Sequence, residues 1–180
     1  GLFPTVVRVW MRMRRAVVER WEEDHDHDFI FGGHGRGAQR AAWTAAAQAE
    51  VSRACEVHHA MSLLDLVKAF ERVDHEVLIR AAKHWGYNLH ILRLTLAAYR
   101  MQRVIVVDGT CSRLIRATRG ITAGSGFATS ELRCLLLSTF IAANQLSRTV
   151  RIQHYVDDAA IAGFGSFRRT TRETARVTDF

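Results

Sequence analysis

Proline is almost missing from this chain: Pro4 is the single example, and with no low-complexity stretch or internal repeat there is no sign of a linker between separate domains. Cysteine is equally sparse. Cys55, Cys111 and Cys134 are odd in number, far apart and without a CxxC pair, which argues against a disulfide framework and against a zinc site and makes a reducing compartment the default. Long apolar runs are also lacking. Leu135 to Ala143 is among the longest, is interrupted by Ser138 and Thr139, and falls far short of the ~20 residues a bilayer demands, so no membrane span is expected. The chain opens Gly1, Leu2, Phe3 with neither an initiator methionine nor a basic-then-apolar signal pattern; it reads as a piece of something longer, intracellular and not secreted.

What is abundant is apolar residues and arginine. With 180 residues and 48% apolar content the chain can bury one sizeable core, as a single domain or a domain with a small lobe. Basic residues number 25 against 18 acidic, for a net charge of +7, and only Lys68 and Lys83 are lysines. Arginine's planar fork suits bidentate phosphate contacts, so a polyanionic partner fits; codon composition is an equally weighted explanation.

Periodicity predicts the elements. Val6, Val9, Trp10, Met13, Val17 and Trp21 recur at helical spacing over Thr5 to Glu23, with Arg8, Arg12, Arg15 and Arg20 on other faces. Glu22 to Asp28 then mixes acids with His25 and His27, a run that in principle could hold a metal but reads better as a solvated loop. Phe29 to Arg40 interleaves Gly32, Gly33, Gly35 and Gly37 with His34, Arg36 and Arg40 and reads as a loop able to approach a ligand, though without P-loop spacing. Alanine-rich Ala38 to Val57 predicts a second helix, and Ala60 to Leu66 a buried strand delivering Asp65 at its end. Asp74 to Trp85 and Leu89 to Arg100 predict a helical pair divided at Gly86, Tyr87, Asn88. Gln102 to Val107 and Arg113 to Thr118 flank Asp108-Gly109, a hairpin signal. A glycine-rich turn, Gly120 to Gly126, opens a long helix over Ser125 to Gln145.

The tetrapeptide Tyr155, Val156, Asp157, Asp158 lies between apolar Val150 to Ile152 and Ala159 to Ala162, which predicts a β-hairpin with paired carboxylates at its tip. Adjacent anions repel, so a hairpin that keeps both is best explained by a neutralising cation, most simply hydrated Mg²⁺. The element order makes an α+β fold whose sheet receives carboxylates from two separated strands, Asp65 from one and Asp157 and Asp158 from the other. Two divalent ions on such a site can activate a hydroxyl and stabilise a leaving pyrophosphate, which points to nucleotidyl transfer.

Over nearly its whole length the chain resembles the reverse transcriptases of retroelements, of non-LTR type. Leu64, Asp65, Leu66, Val67, Lys68, Ala69, Phe70, continuing to Val73, Asp74, His75, looks like the family's first catalytic motif. Gly120 to Thr129 resembles its glycine-serine motif before the template-facing helix, Tyr155 to Asp158 its YxDD box, and Gly35, Arg36, Gly37 its basic finger loop. The resemblance implies a polymerase palm with partial fingers, an antiparallel sheet packed on helices, with residues 1–59 as partial fingers and 60–180 as palm. It implies Asp65, Asp157 and Asp158 as catalytic residues, with Asp65, Asp157 and Leu66 as the metal set for two Mg²⁺ ions, Mn²⁺ being the substitute. It implies a nucleotide set of Arg36, Phe70, Gly124 and Ser125, in which Phe70 is the steric gate selecting deoxynucleotides; a core aromatic is the plain alternative. Tyr155 and Val156 would lie near the primer end. The implied partners are an RNA template, a DNA primer and dNTPs, and the implied location is nuclear or cytoplasmic.

The chain also departs from the family. Thr122 and Ala123 stand where proline and glutamine are usual, and only 22 residues follow Asp158, too few for the later palm motifs and the thumb. Ser166 to Phe180, basic at Arg168, Arg169, Arg172 and Arg176, is placed as the next palm helix. These departures keep two alternatives open: a catalytically silent nucleic-acid-binding remnant, and, less favoured because of Phe70, an RNA-directed RNA polymerase.

Overall fold

The computed structural model describes residues 3–33, 35–122 and 124–180. Gly1, Leu2, His34 and Ala123, all read above, lie outside the described residues. The element order is α1 (Thr5–Asp24), α2 (Ala38–Ala54), β1 (His58–Asp65), α3 (His75–His84), α4 (Leu89–Tyr99), β2 (Val106–Val107), β3 (Thr110–Cys111), α5 (Ala128–Leu146), β4 (Val150–Tyr155), β5 (Asp158–Gly165) and α6 (Phe167–Thr178). Both sheets are antiparallel and the helices are segregated from them, the α+β arrangement expected. Among the described residues no helix is long and apolar enough to cross a membrane. The chain divides into two compact units, Gly1–Glu23 with Lys68–Leu135, and Asp24–Val67 with Leu136–Phe180.

In the first unit, α3 and α4 begin where their capping residues place them. Asp74 Oδ1 accepts from the backbone N–H groups of Glu76 at 2.7 Å and Val77 at 3.2 Å, and Asn88 Oδ1 from His90 at 3.1 Å and Ile91 at 3.0 Å. The Val77 and Glu76 donors hold the Asp74 carboxyl below its ordinary value. Gly86 takes φ +64 between the two helices, as the glycine there led us to expect. Leu78, Leu92, Tyr99, Phe127 and Leu132 are fully buried and form the unit's core.

Two sequence expectations need correction here. Helix α1 forms where expected, but most of the stripe that reads as its apolar face is turned away from the core: Val6 and Met13 are each 74% exposed, Val9 and Val17 are exposed as well, and of that stripe Trp21 alone is buried. The buried residues are Met11, Val18, Trp21 and Glu22. Directional contacts select this face. Gly126 N–H points at the Met11 sulfur at 3.3 Å, Arg15 Nη1 donates to Gly126 O at 3.1 Å, Trp21 Nε1 donates to Trp85 O at 2.8 Å, and Ser130 Oγ donates to Glu22 Oε1. The second correction is the Asp108-Gly109 hairpin, whose strands shrink to two residues each, with a separate bridge at Arg103 and Ile115. Ser112 Oγ accepts Ile105 N–H at 3.0 Å, so a side chain takes a donor that a regular ladder would give to a carbonyl.

The second unit is built on a sheet in the order β1-β5-β4. Alternation puts Ala60, Ile161, Gly163, Val150 and Ile152 on one face, where α6 packs; a Cβ at Gly163 would stand 2.1 Å from Thr174 Oγ1 and 3.3 Å from Thr170 O, so this helix approaches because the position is glycine. The opposite face carries Met61, Leu63, Asp65, Gln153, Tyr155, Asp158 and Ala160. Helix α2 runs beside it, with Gln153 Nε2 donating to Gln48 Oε1 at 3.3 Å. The expected terminal helix is present as α6.

Candidate functional site

Each carboxylate is placed by the sheet. Strand β1 ends on Asp65, and the register sets it directly opposite Asp158, the first residue of β5; Asp158 is also the partner of Tyr155, the last residue of β4. Directly opposed residues share a face, so Asp65 and Asp158 project to the same side of the sheet. Both are exposed. Like charges directly opposite are destabilising in a sheet, and nothing in the strand pattern requires them there. Asp157 is half-buried in the adjoining turn.

That turn is shorter than expected, because Tyr155 and Asp158 belong to the strands and only Val156 and Asp157 connect them. Val156 takes φ +60, a left-handed conformation that costs a β-branched residue on the order of 1–3 kcal/mol and persists only where the surroundings enforce it. The surroundings do. His154 Nε2 donates to Val156 O at 2.9 Å, and the Phe140 ring stacks on the His154 imidazole at 4.1 Å. Gly32 lies beside the turn, where an added Cβ would meet Val156 N at 3.4 Å and Val156 Cγ2 at 3.5 Å in ordinary contact.

Gly32 belongs to a strap, Phe29 to Gly32, laid along β4. His154 N–H donates to Phe29 O at 2.7 Å, Phe31 N–H donates to His154 O at 2.8 Å, and Ile30 pairs with His154 as a parallel bridge. Arg36 holds the strap. Its Nη1 donates to the carbonyls of His27 at 2.7 Å and Ile30 at 2.6 Å, and its Nη2 to Asp26 Oδ2 at 2.7 Å. The guanidinium expected to face a triphosphate is therefore engaged in supporting the loop behind the carboxylate turn. The acidic, histidine-rich stretch preceding it is part of the same support, with His27 stacked on Phe29 at 5.1 Å.

A groove of about 370 Å³ lies along the carboxylate face. It is lined by Ala38, Ala41, Ala42 and Ala45 of α2 and by sheet residues including Met61, Leu63, Asp65, Tyr155 and Asp158. Four alanines give the helix side a low profile, and Leu63, 74% exposed, gives the sheet side an apolar floor. The donor set is all hard oxygen, the kind that Mg²⁺ takes. Among the described residues no group of three or more His, Cys, Asp and Glu side chains is gathered closely enough to hold a metal by itself. The carboxylates fit Mg²⁺ in its usual manner, one or two protein ligands completed by water and substrate phosphates. Leu66 follows β1 directly and is half-buried.

Phe70, Gly124 and Ser125 belong to the first unit. Phe70 is half-buried and its carbonyl accepts Ile121 N–H at 2.8 Å, while Val73 O accepts Gly120 N–H at 2.7 Å, so the stretch after Asp65 is tied to the glycine-rich turn. Gly120 has φ +91, and a Cβ there would stand 2.9 Å from Glu71 O. His75 adds a clamp: Arg100 Nε donates to its Nδ1 at 3.0 Å, which leaves Nε2–H to donate to Gly120 O at 2.9 Å. Gly124 takes φ +93.

Behind Ser125 lies a network that the sequence reading missed. Glu131 is fully buried and accepts from Thr95 Oγ1 at 2.6 Å and Tyr99 OH at 2.5 Å, and the Tyr99 hydroxyl also shares a hydrogen bond with Ser125 Oγ at 2.8 Å. A tyrosine has one hydroxyl proton, so when Tyr99 donates to the carboxylate, Ser125 must donate to Tyr99. Burial raises the Glu131 carboxyl to about 7 against the pull of its two hydroxyl donors, and burial beside Glu131 raises Tyr99 far above its ordinary value. Cys134 is pushed up to about 12 by burial and then by Glu131. The sequence signal was slight: Thr95 and Tyr99 are two hydroxyls one turn apart on a helix rich in leucine and alanine.

No family model matches the chain, and no curated protein matches it in sequence. In structure it is similar to apo telomerase from Candida tropicalis truncated from its C-terminal domain, with a TM-score of 0.63 and 12% identity. The likeness covers 97% of this chain and 37% of the telomerase chain, so the chain spans little more than a third of that protein's length. At this identity what is shared is the fold.

Proposed function

We propose that the chain is the core of an RNA-directed DNA polymerase from a retrotransposon-like element, with residues 1–59 as partial fingers and 60–180 as palm. One observation carries the reading: Asp65 and Asp158 are register partners on an exposed sheet face beside a groove, with Asp157 in the adjoining turn, in a fold shared with a telomerase. Telomerase is a reverse-transcriptase-like enzyme, and the order of motifs along this chain, from Asp65 through Gly124-Ser125 to Tyr155–Asp158, matches that class.

In this reading Asp65 and Asp157 would hold the divalent ions, with Leu66 contributing at the same site and Asp158 supporting it. Two Mg²⁺ ions bound there would supply activation of a primer 3′-hydroxyl and neutralisation of the leaving pyrophosphate. The chain's own part is positional. The register sets Asp65 opposite Asp158, and His154 and the strap held by Arg36 support the turn that carries Asp157, an arrangement that would leave little reorganisation when phosphate oxygens arrive. Tyr155 and Val156 would lie against the primer end. Phe70, Gly124 and Ser125 would contact the incoming dNTP, Phe70 excluding a 2′-hydroxyl; these roles rest on motif order. Arg36 would reach a triphosphate only by exchanging its bond to Asp26. Template, primer and dNTPs are the partners, in the nucleus or cytoplasm.

The test is primer extension on an RNA template with Mg²⁺, comparing the chain with Asp157→Asn. Extension that depends on Asp157 is expected, and the substitution should cost several kcal/mol of transition-state stabilisation, about a thousandfold in rate. Extension undiminished by the change removes the mechanism. The engagement of Arg36 within its own loop favours a second reading, a nucleic-acid-binding remnant without turnover; a gel shift with no extension under any divalent ion selects it.

A further inference from the structure

The first unit carries a second groove, of about 540 Å³, lined by Lys83 of α3, by Leu89, Arg93 and Ala97 of α4, by Arg100 just past the end of α4, and by Arg116. Its composition is one-sided. The floor is aliphatic, the rim holds four cations, and no carboxylate lines it. Among the described residues Lys83, Arg93 and Arg116 make no ion pair, while Arg100 donates its Nε–H to His75. Four like charges around one depression repel each other, an arrangement that an anionic occupant relieves.

The floor identifies which anion. Leu89 and Ala97 are exposed beside Arg93 on α4, and Ile79 of α3 is half-buried, while Leu92 and Leu96 are buried beneath them, so aliphatic and cationic residues lie side by side in the groove. Single-stranded nucleic acid adds bases stacked on aromatic rings to its phosphate contacts, and no aromatic residue lines this groove. An amphipathic helix presents what is lacking: apolar residues at i, i+3, i+4 and i+7 for Leu89, Ile79 and Ala97, flanked by carboxylates for the rim. We propose that this groove is a docking site for an acidic amphipathic helix of a partner protein. None of its lining residues belongs to the carboxylate site, and the proposal does not depend on the polymerase reading.

The probe is a synthetic fluorescein-labelled peptide of about four helical turns, leucine at i, i+3, i+4 and i+7 and glutamate at the flanking positions, titrated against the 180-residue chain by fluorescence anisotropy. Saturable binding is expected, weakened about tenfold by the Arg93→Glu, Arg116→Glu double variant and by Leu89→Asp, with the glutamine-for-glutamate peptide failing to bind. Leu89 is exposed, so its variant should keep the parent's melting temperature, which separates lost docking from lost folding. Absence of peptide binding overturns the proposal, as does binding that the charge reversals leave unchanged. Displacement of the peptide by a single-stranded oligonucleotide, with both lost on charge reversal, assigns the groove to nucleic acid and overturns it too.

Discussion

Asp65 and Asp158 stand directly opposite each other across β1 and β5, two exposed carboxylates on one face of a sheet. A pair of like charges in that position is a cost to the metal-free fold and an advantage only when a cation is present. Replacing Asp158 with Asn should therefore raise the melting temperature in EDTA, by about 2 °C for a fraction of a kcal/mol. The same variant should lose most of the stabilisation that the parent gains from millimolar Mg²⁺. Differential scanning fluorimetry with and without Mg²⁺ reads both; a variant that melts lower in EDTA contradicts the electrostatic account.

Glu131 gives a pH dependence whose sign follows from its burial. Its folded carboxyl titrates near 7 against 4.5 for the free group, so the folded state retains a proton that the unfolded state releases between those values. Stability is lost as pH rises from about 4.5 to 7 and is level above, a loss of about 3 kcal/mol as an order of magnitude. Glu131→Gln lacks this ionisation and can still serve both hydroxyls. Its stability relative to the parent should rise by that amount between pH 5 and pH 7.5, measured by urea denaturation at each.

Arg36→Ala removes three hydrogen bonds from the strap behind the carboxylate turn, all donated by the charged guanidinium and one of them an ion pair with Asp26. The expected cost is about 1–3 kcal/mol, and it should be local. Amide exchange should quicken at Phe31 and His154, whose mutual hydrogen bonds depend on the strap, while amides in α4 keep their protection. Arg36→Lys should behave like alanine, since an ammonium cannot span two carbonyls and Asp26 in one plane.

Gly163→Ala sets a Cβ against the Thr174 hydroxyl at 2.1 Å. Overpacking of this kind costs about 1–3 kcal/mol. Among the described residues the buried Thr174 hydroxyl has no hydrogen-bond partner, so Thr174→Ala should be nearly neutral alone and should restore most of what Gly163→Ala loses. A double-mutant cycle by chemical denaturation measures the coupling.

What could be read from the sequence was local. The pair α3 and α4 was legible because Gly86 and Asn88 break the helical pattern between them, and the hairpin at 150–165 because two apolar stretches flank a pair of carboxylates; that Asp74 and Asn88 cap the two helices is disclosed by the fold. The facing of α1 could not be read that way, because its orientation is decided by Gly126, Trp85 and Ser130, partners on remote stretches of chain. Arg36 was legible as a cation in a glycine-rich loop, and its attachment to Asp26 was not. Within the candidate site, Asp65, Asp157 and Asp158 were each visible as residues worth noting. That Asp158, rather than Asp157, faces Asp65 is a matter of register, which pattern leaves open by one residue. Glu131 looked like an ordinary acid in the first turn of a helix, and only the fold discloses that it is buried beneath Ser125.

The two constraints on Gly120, a left-handed backbone and the carbonyl of Glu71 within reach of any Cβ, bear on how such a chain can change over generations. Thr122, whose hydroxyl accepts from Arg103 Nη2 at 3.1 Å, occupies a permissive address where descendants can exchange one polar group for another. Two residues earlier every single-codon step out of glycine meets both obstacles together, so drift through this motif is channelled away from its first position and toward its middle.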